Sequence, residues 1–305
     1  MMLSRVGEQL YWMSRYLERM DNTARLIKAT TQQMLDARHP ADWRAPVDIL
    51  GAGTLFDGRE LAAHESTVMA FLIDDAHQPG SIRACVRAAR ENARTVRELL
   101  PTDVWEGINE LHGVMRDDFG TNTRRRRRLD FLRHLIATNQ RINGIIEGTL
   151  SHGPPYHFIL LARLLERADM TSRILDKHTT GEVDNGGSPD GWMNTLHALD
   201  GYLMYRQSLG VGLDPRSVVR FLMLDPAFPR SVRFCLRHMG DALLALPRSA
   251  PVLAEVQRLD RRHVEAEPHR LALGALHDYI DQLQTELADI HGLIARHYFP
   301  EPLTC

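Results

Sequence analysis

The chain has 305 residues, 44% hydrophobic and 25% charged, with a formal net charge of -2. That is the make-up of a folded globular protein of about two domains rather than a disordered chain. It offers no global attraction to nucleic acid or to an anionic membrane.

Three scattered cysteines, Cys85, Cys235 and Cys305, form neither a disulfide framework nor a zinc pattern, which fits a reducing cytoplasm. Arg5 and Glu8 interrupt the N-terminus before a secretory signal could form, and no uncharged apolar run reaches the ~18 residues of a membrane span.

Taken in order, Leu3 to about Leu35 reads as one long helix. Val6, Leu10, Met13, Leu17, Met20, Ala24 and Ile27 recur at steps of three and four, one apolar face. Arg15, Glu18 and Arg25 fall on the other side, with Arg19 beside Arg15. Tyr11, Trp12 and Tyr16 interleave that polar side, so the helix is expected to be buried with its charges pointing inward.

Pro40 ends this helix. A short helix over Trp43–Leu50 leads to the turn Gly51-Ala-Gly53, which lacks the third glycine, strand and lysine of a phosphate loop. Helices follow over residues 59–74, 82–100 (capped by Ser81), 102–118 (capped by Thr102) and 123–150. Past Pro154-Pro155 the reading continues with helices over 156–178, 190–208, 214–224, 230–246, 251–262 and 268–297, with a Gly-rich turn over 181–191. Strand-like alternation is not convincing anywhere. The expected fold class is all-α.

The segment Arg15-Tyr-Leu-Glu-Arg-Met-Asp-Asn-Thr-Ala-Arg25 returns 148 positions later as Arg163-Leu-Leu-Glu-Arg-Ala-Asp-Met-Thr-Ser-Arg173, identical at seven of eleven positions. Phe71–Arg87 matches Phe221–Arg237 at eight of seventeen positions and an offset of 150, and Ile142–Ile146 echoes Ile290–Ile294 at 148. Collinear matches at nearly constant offset indicate an internal duplication. The expectation is two helical-bundle repeats, 1–152 and 153–305, related by a pseudo-two-fold axis and packed as one compact unit. In the second block, Asp75 and Asp225 open a turn, Pro79 and Pro229 fix its exit, and Ser81 and Ser231 cap the next helix. Cys85 and Cys235 read as small buried apolar residues.

The opening Met2-Leu-Ser-Arg-Val-Gly-Glu-Gln-Leu-Tyr-Trp-Met-Ser-Arg-Tyr-Leu-Glu-Arg-Met-Asp-Asn-Thr-Ala-Arg25 resembles the alpha-E family of bacterial helical proteins, named for its Glu-Arg motif. Glu18-Arg19 and Glu166-Arg167 occupy that motif, and the second copy extends the resemblance over essentially the whole chain. The resemblance implies an all-helical cytoplasmic protein encoded near circularly permuted ATP-grasp ligases and transglutaminase-like peptidases. Such a setting suggests a pathway making or editing amide-linked peptides.

The candidate binding residues are Arg15, Glu18, Arg19 and Arg25 with their counterparts Arg163, Glu166, Arg167 and Arg173. Arg83, Arg87, Arg233 and Arg237 are secondary candidates that either face solvent or point toward the glutamates. A carboxylate among guanidinium groups stays ionised, and a surplus of arginine suits a carboxylate, a phosphate or an acidic peptide. The competing structural reading is a buried ion-pair network that fixes helix register.

The run Arg124–Arg128 reads as a solvated face or a docking patch for an acidic partner, in preference to nucleic-acid binding. His263 to His269 is interrupted by Pro268 and matches no ligand spacing, so no metal is expected there, and no cofactor signature is present. His152 and His157 flank the Pro154-Pro155 hinge. The leading expectation is an accessory or binding component of the ATP-grasp-linked pathway, partnered by the ligase and the peptidase. The alternatives are an enzyme built on the Glu-Arg clusters and a nucleic-acid-binding helical protein.

Overall fold

Apolar residues at helical spacing fold as helices throughout the computed structural model, which describes residues 4–36, 42–116, 124–179, 189–210 and 212–300. Helix α1 is Ser4–Asp36, α2 Ala45–Ile49, α3 Gly53–Asp57 and α4 Glu65–Met69, the last continuing as a π turn over Ala70–Asp74. They are followed by α5 (Ile82–Thr95), α6 (Thr102–Val114), α7 (Arg125–Thr149) and α8 (Pro154–Asp176). The remainder comprises α9 (Pro189–Ala198), α10 (Tyr202–Leu209), α11 (Pro215–Leu224), α12 (Val232–Leu244), α13 (Ala250–Glu265) and α14 (Leu273–Tyr298). Among the described residues there is no strand, and no helix is long and apolar enough to cross a membrane.

The chain forms two compact units. One gathers residues 1–15, 151–187 and 204–305; the other gathers 16–150 and 188–203. In the first, α8 packs on α12 and α14, and α13 closes against both of those helices. In the second, α6 packs against both α5 and α7. There α6 comes close because Gly107 has no side chain: a Cβ would stand 2.8 Å from Cγ1 of Ile142. Helix α1 is continuous, so its first turns belong to one unit and the rest to the other.

The two repeated blocks fold alike in detail. Ser81 Oγ accepts from the Ala84 N–H (3.1 Å) and donates to the Asp75 carbonyl (2.6 Å). Ser231 Oγ accepts from the Phe234 N–H (3.0 Å) and donates to the Asp225 carbonyl. Cys85 and Cys235 are buried, with their thiols 3.6 and 3.8 Å from the carbonyls of Pro79 and Pro229. The starts of α12, α13 and α14 (Val232, Ala250, Leu273) follow those of α5, α6 and α7 (Ile82, Thr102, Arg125) at intervals of 150, 148 and 148 residues.

Several expected elements are corrected. The helix expected over 59–74 starts only at Glu65, because Glu60 sits at φ 53° and the chain runs as coil to His64. The helix expected over 82–100 ends at Thr95 and gives way to a 3-10 turn, Arg97–Leu99. Thr102 is the first residue of α6 rather than its cap; Pro101 precedes it with extended ψ. The helix expected over 190–208 is two helices, broken where Asp200 adopts φ 51° before Gly201. The last helix begins at Leu273, after Glu267 (φ 42°) and a 3-10 turn over Pro268–Arg270. The expectations placed on Pro40, Asp118, Thr123, Cys305 and most of the 181–191 turn lie outside the described residues.

Candidate functional site

A 33-residue helix with arginine, glutamate and aspartate at its buried positions must satisfy each charge inside the protein, since an unpaired buried ion costs several kcal/mol. Arg15, Glu18, Asp21 and Arg25 on α1 are all buried, as are Arg163 and Glu166 on α8. Arg19 and Arg167 are half-buried.

Within the first unit, Arg15 Nε donates to Oε2 of Glu166 at 2.7 Å, with only 10% and 2% of their side chains exposed. The first copy's arginine thus meets the second copy's motif glutamate, although Glu18 lies only three residues away in sequence. Arg15 also donates to the Tyr11 hydroxyl (3.4 Å) and stacks over Trp12, 5.7 Å from the ring centroid. Tyr11 OH lies 3.0 Å from Nδ1 of half-buried His291, whose ring meets Trp12 edge-on. A chain of polar contacts therefore runs from Glu166 through Arg15 and Tyr11 to His291. Burial pulls the Arg15 guanidinium toward its neutral form, but Glu166 and Tyr11 outweigh it and hold the group above its usual range.

Within the second unit, Arg25 Nε donates to Asp21 Oδ2 at 2.6 Å, one turn earlier on the same helix, and its NH1 donates to Asp200. Asp200 is brought there by the left-handed break between α9 and α10. Here too burial pulls the guanidinium down, and Asp21, Asp200 and Glu18 together hold it above its usual value. Lys28 stands 3.9 Å from Asp200.

The equivalent pair on α8, Arg173 Nε to Asp169 Oδ2 at 2.9 Å, is far more open to solvent. Counting arginine against glutamate alone overlooked Asp21 and Asp169, which offset the expected positive surplus. Their Asp-x-x-x-Arg spacing, present in both copies, was the available signal. Nothing comparable pointed to Asp200 or His291.

The secondary candidates are placed elsewhere. Arg83 pairs with Asp74 (2.8 Å) and donates to the Met115 carbonyl, while exposed Arg87 reaches the Ala76 carbonyl at 3.3 Å. Arg233 and Arg237 lie near Asp260, where burial pushes the carboxyl up and the two arginines, with Arg261, partly offset it. Of the arginine run, Arg124 to Arg127 are exposed as expected. Arg128 is not: its side chain is 3% exposed and paired with Glu65, which also takes Arg125.

The histidines singled out from the sequence have structural settings. Buried His263 lies between the Met223 carbonyl (2.7 Å) and the Tyr279 hydroxyl (2.5 Å), and burial lowers its pKa to about 4. His152 stacks on Tyr156, and His157 Nε2 lies 3.2 Å from the His152 carbonyl.

Long helices that bury a few ion pairs within an otherwise apolar core define an all-helical protein. The chain belongs to the Alpha-E family, described as a predicted alpha-helical domain with a conserved ER motif, whose model matches residues 2–299. An uncharacterized protein of Mycobacterium bovis is 23% identical over 271 residues, covering 81% of this chain and 30% of the relative. An uncharacterized protein of Mycobacterium tuberculosis is 22% identical with the same coverage. The chain therefore spans about 30% of the length of the curated relatives it matches. No solved structure matches it.

Proposed function

We propose that the chain is an accessory, binding component of an ATP-grasp-linked pathway that makes or edits amide-linked peptides. It engages the ligase, or an acidic peptide substrate, through its helical surfaces. The observation that carries this reading is the closed Arg15–Glu166 pair: the motif carboxylate is 2% exposed and already held by a guanidinium. A carboxylate so buried and already engaged by a guanidinium has little surface to offer a substrate, and is well suited to fix two helices in register. Recognition then falls to exposed charge such as Arg124–Arg127. The relatives support a module that works beside others, because the matched segment is a minor part of longer chains.

We infer further that the chain is an internal duplication with repeats 1–152 and 153–305 and the pseudo-two-fold relation such a duplication brings. The paired serine caps and the equal spacing of helix starts support it.

A second reading, an enzyme, is favoured by one contact: the Tyr11 hydroxyl lies between His291 and Arg15, a setting that suits proton transfer. Reconstitution of the chain with the ligase separates the two. The accessory reading expects Glu18→Gln and Glu166→Gln proteins that remain folded to support product formation, and a charge reversal of Arg124 to Arg127 to weaken ligase binding. Folded glutamine variants that abolish product formation would establish the enzyme instead.

A further inference from the structure

The first unit carries a second polar cluster, separate from the Glu-Arg network. Asp176 is the last residue of α8, and His277 and Asp281 lie one turn apart near the start of α14. His277 Nδ1 is 2.8 Å from Asp176 Oδ1, and its Nε2 is 3.6 Å from Asp281 Oδ2. One donor atom from each of the three residues lies within 4.8 Å of the others. Thr179 Oγ1 donates to Asp176 Oδ1 at 2.5 Å, which fixes that carboxylate against the end of α8.

We propose that Asp176, His277 and Asp281 form a site for one divalent transition-metal ion. His277 Nε2 and Asp281 are the direct ligands, Asp176 is the carboxylate that orients the imidazole, and waters fill the remaining positions. Three observations lead there.

The first is geometric. Donor atoms 3.6 Å apart, each at a bond length of about 2.1 Å, subtend roughly 120° at an ion, close to the angles zinc accepts. A histidine and an aspartate four residues apart on one helix present these atoms on one face without strain. The second is the tautomer. The Nδ1–H donated to Asp176 leaves the Nε2 lone pair for the metal, the carboxylate–histidine–metal arrangement that orients ligands in metal sites.

The third is charge and access. Asp176 and Asp281 each place a carboxylate oxygen against His277, one at either ring nitrogen, and a dication would offset their joint negative charge. Asp176 is 19% exposed, His277 35% and Asp281 60%, so the cluster is walled by protein on one side and open to water on the other. One imidazole with carboxylates favours zinc, manganese, iron or cobalt over calcium, which prefers all-oxygen shells. An ion here would bind α14 directly and reach the end of α8 only through the Asp176–His277 hydrogen bond.

Titrating the full chain, free of any histidine tag, with zinc chloride in an isothermal calorimeter tests the proposal, with thermal unfolding as a second readout. One saturable equivalent and a rise in Tm are expected. Both should be lost in His277→Ala, and affinity should fall at least about tenfold in Asp281→Asn and by about 10- to 100-fold in Asp176→Asn. Absence of saturable heat from the wild-type chain overturns the proposal. So does unchanged binding by His277→Ala, which would assign the zinc to other histidines. Should His277→Ala unfold by circular dichroism, Asp281→Asn, at an exposed position, decides in its place: a loss of affinity supports the site, and unchanged affinity overturns it.

Discussion

Replacing Glu166 by glutamine keeps the shape of the side chain and removes its charge, leaving the Arg15 guanidinium buried without its carboxylate. At 2.7 Å the gross attraction in a protein-like dielectric of about 20 is about 6 kcal/mol. Part of that is returned because the variant no longer has to desolvate a carboxylate, and breaking one side of a buried pair typically costs about 3–5 kcal/mol. Trp12 lies against Arg15, so tryptophan fluorescence during urea unfolding reports on the affected region.

The expectation is a loss of about 3 kcal/mol for Glu166→Gln, a similar loss for Arg15→Met, and a double variant far less destabilised than their sum. The hydrogen bond from Arg15 to Tyr11 survives in Glu166→Gln, which keeps the cost toward the lower end. A loss under about 1 kcal/mol for Glu166→Gln, or strict additivity in the cycle, would refute the view that this pair holds α1 to α8.

Three further outcomes follow from the same structure. Ser81→Ala and Ser231→Ala should each cost about 1–2 kcal/mol, because each removes a cap and a second hydrogen bond, and equal costs by urea unfolding would match their twin geometry. Asp21→Asn should destabilise by about 3 kcal/mol while Asp200→Asn, at a carboxylate 45% exposed and a backbone position asparagine tolerates, should cost about 1 kcal/mol or less; the reverse order would undo the assignment. His263, buried neutral with a pKa lowered to about 4, contributes stability that is complete above about pH 6.5 and is lost as pH falls toward 4, by about 3 kcal/mol in all; His263→Gln should flatten that part of an unfolding-versus-pH curve.

Element existence was legible wherever apolar spacing and a cap coincided, as at Ser81, Ser231 and Asp214, each of which accepts from a backbone N–H in the first turn of its helix. Two of the misread boundaries share one cause. Glu60 and Asp200 adopt positive φ, a conformation whose usual marker is glycine, so the helical spacing around them read straight through the break. Burial of α1's polar side was legible from Tyr11 and Trp12. The partner of Arg15 was not: spacing along one helix offers Glu18 three residues away, whereas the actual contact depends on how α8 lies against α1's first turns, which no local pattern encodes.

The two copies of the repeated segment also show how environment decides what one motif needs. Both hold an aspartate and an arginine four residues apart, and in both the guanidinium Nε reaches the carboxylate. Arg173 is 33% exposed, so water satisfies its remaining donors at little cost. Arg25 is 3% exposed, and a guanidinium with five donors cannot be satisfied by Asp21 alone at that depth. The second unit supplies Asp200 from a turn that breaks what would otherwise read as one helix, so the strained residue and the buried arginine explain each other. A positive φ that aspartate adopts more readily than most residues thereby brings a second carboxylate to a guanidinium that Asp21 alone cannot satisfy. On this view the charged residues of α1 are framework rather than an open anion site, and ligand recognition is to be sought where guanidinium and carboxylate groups still face water.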